Sequence, residues 1–234
     1  MHYLFKAASA VIITFVIIAG IGIPMVQGNH GFFEFPFIPG LEEKARNIFF
    51  HVPIAWATTL AFIMSMIYGI QYLRKQDIEY DLRSVSSAGI GMILCVLATV
   101  TGAVWAKFNW GAFWNWDPRE VSIFILLLIY GAYFVLRSAI DEDGKRAKLS
   151  SAYSIIAGIT VPFFIFVMPR LMGGLHPGSA GDESGKGPVL ELKMSGMMLV
   201  VFFSSLIGFT ILYFWMYSVK LRANRIEHQL KSQE

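Results

Sequence analysis

Along the chain, long apolar runs alternate with short polar connections. Six runs are long enough to cross a bilayer, which takes about 20 apolar residues at 1.5 Å rise each. They lie near Ala7–Val26, Asn47–Leu73, Val85–Trp105, Val121–Leu136, Ser150–Met168 and Met194–Val219, the fourth being the shortest. Helices satisfy every backbone donor and acceptor within lipid, so the pattern predicts an all-α polytopic membrane protein with six transmembrane helices. A single integral-membrane domain over 1–234 is expected. The first run follows Lys6, as a signal peptide would follow its charge. Its apolar core exceeds the roughly 7–15 residues of such a segment, and no A-x-A site follows, so it is read as a retained span.

Composition agrees with that reading. The chain is 56% hydrophobic and 15% charged, with a mean hydropathy of +0.57, which is not the balance of a soluble domain. A net charge of +3 carries no nucleic-acid footprint. Cys95 is the single cysteine, so no internal disulfide can form and no Cys-x-x-Cys-His is present. The N-terminus, Arg74–Ser84, Arg137–Leu149 and the tail share one side and hold more of the Lys and Arg than the longer loops opposite. The positive-inside rule then places both termini in the cytoplasm. The tail KLRANRIEHQLKSQE could extend the sixth span as a short polar helix, but is read as a solvated charged end.

Three unusual segments fall on the outer side: FFHVP (Phe49–Pro53), WGAFWNWDPRE (Trp110–Glu120) and GGLHPGSAGDESGKGP (Gly173–Pro188). Trp110, Phe113, Trp114 and Trp116 could form an interfacial aromatic belt. Four aromatics in so short a stretch also offer an apolar platform for a planar ligand, with indole N–H groups left to donate. Asp117-Pro118-Arg119-Glu120 reads as a helix start, with Asp at N-cap, Pro at N1 and Glu at N3. Asp117 can cap the fourth helix, face a ligand, or do both. The Gly-rich third segment lacks Walker spacing and is expected to form a flap over the site.

Five histidines are present. His2 and His228 lie toward the cytoplasmic ends, and His30 sits in the first outer loop. His51 opens the second span, where an ionisable group is costly to bury unpaired. His176 precedes Pro177, which biases it toward extended backbone. Each alone suits a structural histidine; together they bracket the aromatic segment. Two neutral imidazoles beside flat aromatic rings meet the needs of haem. Zinc or copper could use the same nitrogens, but a tetrahedral site wants further protein ligands that no cluster supplies. Haem propionates favour arginine, and Arg119, Arg170, Arg46 and Lys107 are on the expected side. Without Cys-x-x-Cys-His, haem would be held by coordination and contact alone, a grip that can be released.

These residues resemble the haem-handling superfamily of cytochrome c biogenesis proteins, whose mark is a Trp-rich "WWD" segment flanked by two outer histidines. Trp110-Gly111-Ala112-Phe113-Trp114-Asn115-Trp116-Asp117 matches W-G-x-x-W-x-W-D at every fixed position. His51-Val52-Pro53 is similar to the first histidine motif, and His176 falls where the second is expected. Six spans and the chain length resemble the CcmC branch. The resemblance implies an outer WWD segment at about 105–120 and a histidine loop at about 169–193. It implies non-covalent haem b with His51 and His176 as axial iron ligands, and the Trp segment lining the haem edge. It further implies delivery to a CcmE-like periplasmic chaperone, with ABC transporter subunits and a small helper membrane protein as partners, in the bacterial inner membrane. Asp117-Pro118-Arg119-Glu120 looks more like the W-D-P-[KR]-E of the CcsA branch, which works with a large partner protein.

Other classes make different demands. A membrane b-type cytochrome holds haem between histidines deep inside paired spans, and no histidine lies deep in a span here. A permease for a polar substrate needs charges along its spans, which are nearly devoid of them. No nucleophile–base pair is visible, so no conventional active site is expected; any assistance to haem attachment would come from positioning and control of iron ligation.

Overall fold

The computed structural model describes residues 2–176, 194, 196–231 and 233. Its helices are α1 (His2–Gly22), α2 (His51–Lys75), α3 (Ile78–Trp110), α4 (Pro118–Ser138), α5 (Asp143–Pro162), α6 (Met168–Leu171) and α7 (Met197–Lys231). A 3-10 helix, Glu42–Phe49, leads into α2. A π-helical stretch, Phe163–Val167, joins α5 to α6, so the three form one continuous element. Among the described residues, six helical stretches are long and apolar enough to span a membrane. The chain is a multi-pass helical membrane protein.

Helix α2 lies at the centre, packed against α3, α5 and α7; α1 leans on α7, and α4 on α3 and α5. Small residues let the backbones approach: a Cβ at Gly91 would come within 2.6 Å of the Phe62 ring. Phe62 in turn stacks on Tyr130 with centroids 3.5 Å apart. Hydroxyl bonds tie the spans in the interior, Ser65 to Ser84 at 3.1 Å and Ser87 to Tyr213 at 2.7 Å. The first loop folds onto the bundle through two short parallel strands, β1 (Met25–Val26) and β2 (Phe35–Pro36), and through the Phe32 carbonyl, which accepts the Met197 N–H at 2.9 Å.

Several boundaries differ from the sequence expectation for local reasons. The first helix stops at Gly22 rather than Val26, because Pro24 disfavours helix at the residue before it; Arg46 Nη1 also donates to the Gly20 carbonyl at 2.8 Å. The loop expected at Arg74–Ser84 shrinks to Gln76 and Asp77. Gln76 takes a left-handed φ of +53° and donates its N–H to Tyr72, while Asp77 caps the Glu79 N–H. Residues 78–84 continue α3 because the charges among them find partners, chiefly a two-pronged Asp81–Arg137 pair at 2.6 and 2.8 Å. The tail is a helix that packs at its start and is solvated beyond: α7 runs on to Lys231, with Arg225 paired to Glu79 and Asn224 donating to Ser86 at 2.8 Å, while Ile226, Glu227, Leu230 and Lys231 are exposed.

Candidate functional site

Helix α3 is the wall on which the site is built. His51, the first residue of α2, brings Nδ1 within 3.0 Å of the Thr101 hydroxyl. That hydroxyl spends its one proton on the carbonyls of Leu97 and Ala98, at 2.8 and 3.1 Å. It can therefore only accept from His51, which places the imidazole proton on Nδ1 and the lone pair on Nε2. The ring lies against Gly102, where an added Cβ would meet Cε1 at 2.9 Å.

His176 sits by the next turn of the same helix. Its ring lies 5.9 Å from Trp105 at 27° and 4.7 Å from Trp110 at 73°. Trp105 and Trp110 meet edge to face at 5.1 Å, and the Trp105 N–H donates to the Lys44 carbonyl at 3.1 Å. Thr101 and Trp105 are four residues apart, about 6 Å along the helix axis. Both imidazoles are thus seated against the last turns of α3, within electrostatic reach of each other.

Asp117 joins the pieces. Its buried carboxylate caps α4 through the Arg119 N–H at 2.9 Å, accepts the Leu175 N–H at 2.6 Å, and accepts from His176 Nδ1 at 2.7 Å. Burial pushes the Asp117 carboxyl upward, but the His176 hydrogen bond and charge, with the two N–H groups, outweigh it and hold its pKa at about 2. An ionised carboxylate only accepts, so the proton of this bond also sits on Nδ1. Glu120 completes the helix start, accepting from the N–H groups of Asn115 and Asp117 at 2.7 and 3.3 Å.

The aromatic segment does not form one platform. Trp110 belongs to the last turn of α3, which closes at Gly111 with a φ of +85°. Trp114 instead packs edge to face on Trp116 and on Phe124 of α4. Trp116 has a left-handed φ of +58° and is 74% exposed, and Phe113 is also exposed, with Lys107 near its ring. The segment therefore splits into a Trp105–Trp110 box around His176 and an outward Trp114–Trp116 pair. Thr101, Gly102 and Trp105 were not singled out by the sequence reading. Their signal was present in helical spacing, since positions 101 and 105 share a face.

The candidate anion-binding groups separate as well. Arg119 Nε is buried without a hydrogen-bond partner among the described residues, within electrostatic reach of Asp117 and Arg170. Arg170 Nη1 donates to the Phe166 carbonyl at 2.6 Å. Arg46 is committed to Glu43 and the end of α1, and Lys107 to the Gly111 carbonyl at 2.8 Å. His30 lies in the exposed first loop, with Nδ1 3.4 Å from the Gly28 carbonyl. The flap expected over Gly173–Pro188 lies, from Pro177 onward, outside the described residues, as does most of the histidine loop at 169–193. Among the described residues no three His, Cys, Asp or Glu gather as a metal cluster.

Residues 3–234 match the family model described as Heme exporter protein C. The chain belongs to the CcmC family. A Heme exporter protein C from Rhodobacter capsulatus is 26% identical over 204 residues, covering 87% of this chain and 82% of that protein. One from Paracoccus denitrificans is 27% identical over 135 residues, covering 58% and 56%. A cytochrome c biogenesis protein CcsA from Prochlorococcus marinus is 35% identical over 99 residues, but this is 42% of the chain and 30% of that protein. Likeness to CcmC therefore runs nearly end to end, and likeness to CcsA is confined to part of the chain.

Proposed function

We propose that this protein binds haem at the outer face of the bacterial inner membrane, between His51 and His176, and hands it to a periplasmic CcmE-like chaperone. Membership of the CcmC family supports a role in haem handling for cytochrome c biogenesis. The observation that carries the ligand assignment is the pair of imidazoles against the last turns of α3, within electrostatic reach of each other and each with Nδ1 engaged, which leaves Nε2 for iron. The porphyrin brings the other four donors, so a two-histidine set suffices where zinc would want more.

The neighbouring groups suit that cargo. Trp105 and Trp110 give an apolar edge beside the His176 ring, and the orphaned Arg119 Nε is suited to a propionate. With no covalent anchor, release needs only the loss of coordination and contact. ABC transporter subunits and a small membrane helper are the expected partners. Asp117-Pro118-Arg119-Glu120 favours a second reading, a CcsA-type subunit serving a large partner. An electron carrier would need histidines deeper than the first residue of α2 and the segment that follows α6.

The test is the absorption spectrum of purified, haem-loaded protein. His51→Ala and His176→Ala should each lose the six-coordinate low-spin signature; unchanged spectra in both would defeat the ligand assignment. Co-purification of a small chaperone supports CcmC-type delivery, and of a large partner the CcsA-type reading.

A further inference from the structure

The two candidate ligands are held by unlike partners. His176 donates to a buried carboxylate, and the same carboxylate is fixed by α4 and by the Leu175 N–H. His51 faces neutral groups, the Thr101 hydroxyl at Nδ1 and the Ala98 carbonyl. Hydrogen bonds to an ionised acceptor are roughly twice as strong as neutral ones. An imidazole that donates to a carboxylate also becomes the more basic ligand through its other nitrogen. Gly102 leaves the His51 ring against the α3 backbone with no side chain between them. The Thr101 proton is already spent on main-chain carbonyls, so its oxygen accepts and selects one tautomer.

We infer that Thr101 is the positioning residue for His51, and that its neutral oxygen makes His51 the iron ligand that lets go first. This rests on the haem reading above. Release breaks the bond between iron and His51 Nε2; the lone pair stays on nitrogen, the Nδ1 proton stays in place, and no electron moves. The haem then remains on His176, with its His51 side open to an incoming ligand from the recipient.

Two measurements on the full chain test this. In the haem-free protein, ¹⁵N NMR of the histidine rings should show His51 protonated at Nδ1. Thr101→Val should give a tautomer mixture, and Thr101→Ser should restore the single form. In the ferrous haem-loaded protein, carbon monoxide reports which ligand leaves. The wild-type adduct should share its Fe–CO vibrational signature with His51→Ala, not His176→Ala, and Thr101→Val should take up carbon monoxide about 10-fold faster. A wild-type adduct matching His176→Ala, or a Thr101→Val protein with unchanged tautomer and rate, overturns the proposal. If neither histidine variant alters the haem spectrum, the haem reading falls and takes the release order with it, while the NMR result still reports whether Thr101 sets the tautomer.

Discussion

One carboxylate, Asp117, serves a helix end, the Leu175 N–H and an imidazole at once. Asp117→Asn keeps a capping oxygen but removes the charge that faces His176. The amide has one accepting oxygen and turns its NH2 toward a donor that the carboxylate accepted, so thermal stability in detergent should fall by about 1–3 kcal/mol, while haem dissociates to an apo-globin acceptor about 10-fold faster. Equal dissociation rates would show that Asp117 acts only as a cap. Gly102→Ala places a Cβ 2.9 Å from His51 Cε1, so the ring must shift. The expected outcome is a loss of six-coordinate haem in the spectrum with helix content by circular dichroism unchanged. Trp116 holds a left-handed backbone conformation that bulky residues rarely adopt, and its exposure keeps the indole away from the His176 box.

At the scale of elements, α3 contributes most to the site. Its N-terminal turns carry the Asp81 and Glu79 pairs, and its C-terminal turns carry Thr101, Gly102, Trp105 and Trp110. Gly111 ends it in a left-handed conformation that lets the chain turn toward Asp117. Gly111→Ala should cost about 1 kcal/mol, read as a lower midpoint of thermal unfolding. At the opposite end, Arg137 neutralises Asp81 between α3 and α4. Arg137→Ala leaves a buried carboxylate alone and should destabilise the protein by about 3–5 kcal/mol; a change near zero in a detergent unfolding titration would show that water reaches Asp81.

Across the whole molecule, the two ends of the bundle differ in chemistry. One gathers His51, His176, Trp105, Trp110 and Asp117; the other gathers Glu79, Arg83, Asp81, Arg137 and Arg225. The proposed function requires the second end to face the cytoplasm, as the charge bias predicts. Single cysteines at Phe33 and Lys145, both exposed, in a Cys95→Ser background provide the check, since Cys95 itself is buried. In intact spheroplasts an impermeant maleimide should label Phe33→Cys and reach Lys145→Cys only after lysis. The reverse pattern would put the histidines in the wrong compartment for periplasmic delivery.

Sequence alone determined the six spans, the helix start at Asp117-Pro118-Arg119-Glu120, and the shared end of the bundle for His51, Trp110–Asp117 and His176. These follow from hydrophobic run length and local capping chemistry, which act over a few residues. Only tertiary structure decided that Trp105 joins Trp110 around His176 while Trp114 turns to Phe124, and that Thr101 meets His51. Those contacts depend on how α2, α3 and the α4 start pack together. The same holds for the start of the tail, whose charges read as solvated until Arg225 met Glu79. Pairing across helices is set by distances between spans, and linear order does not encode them.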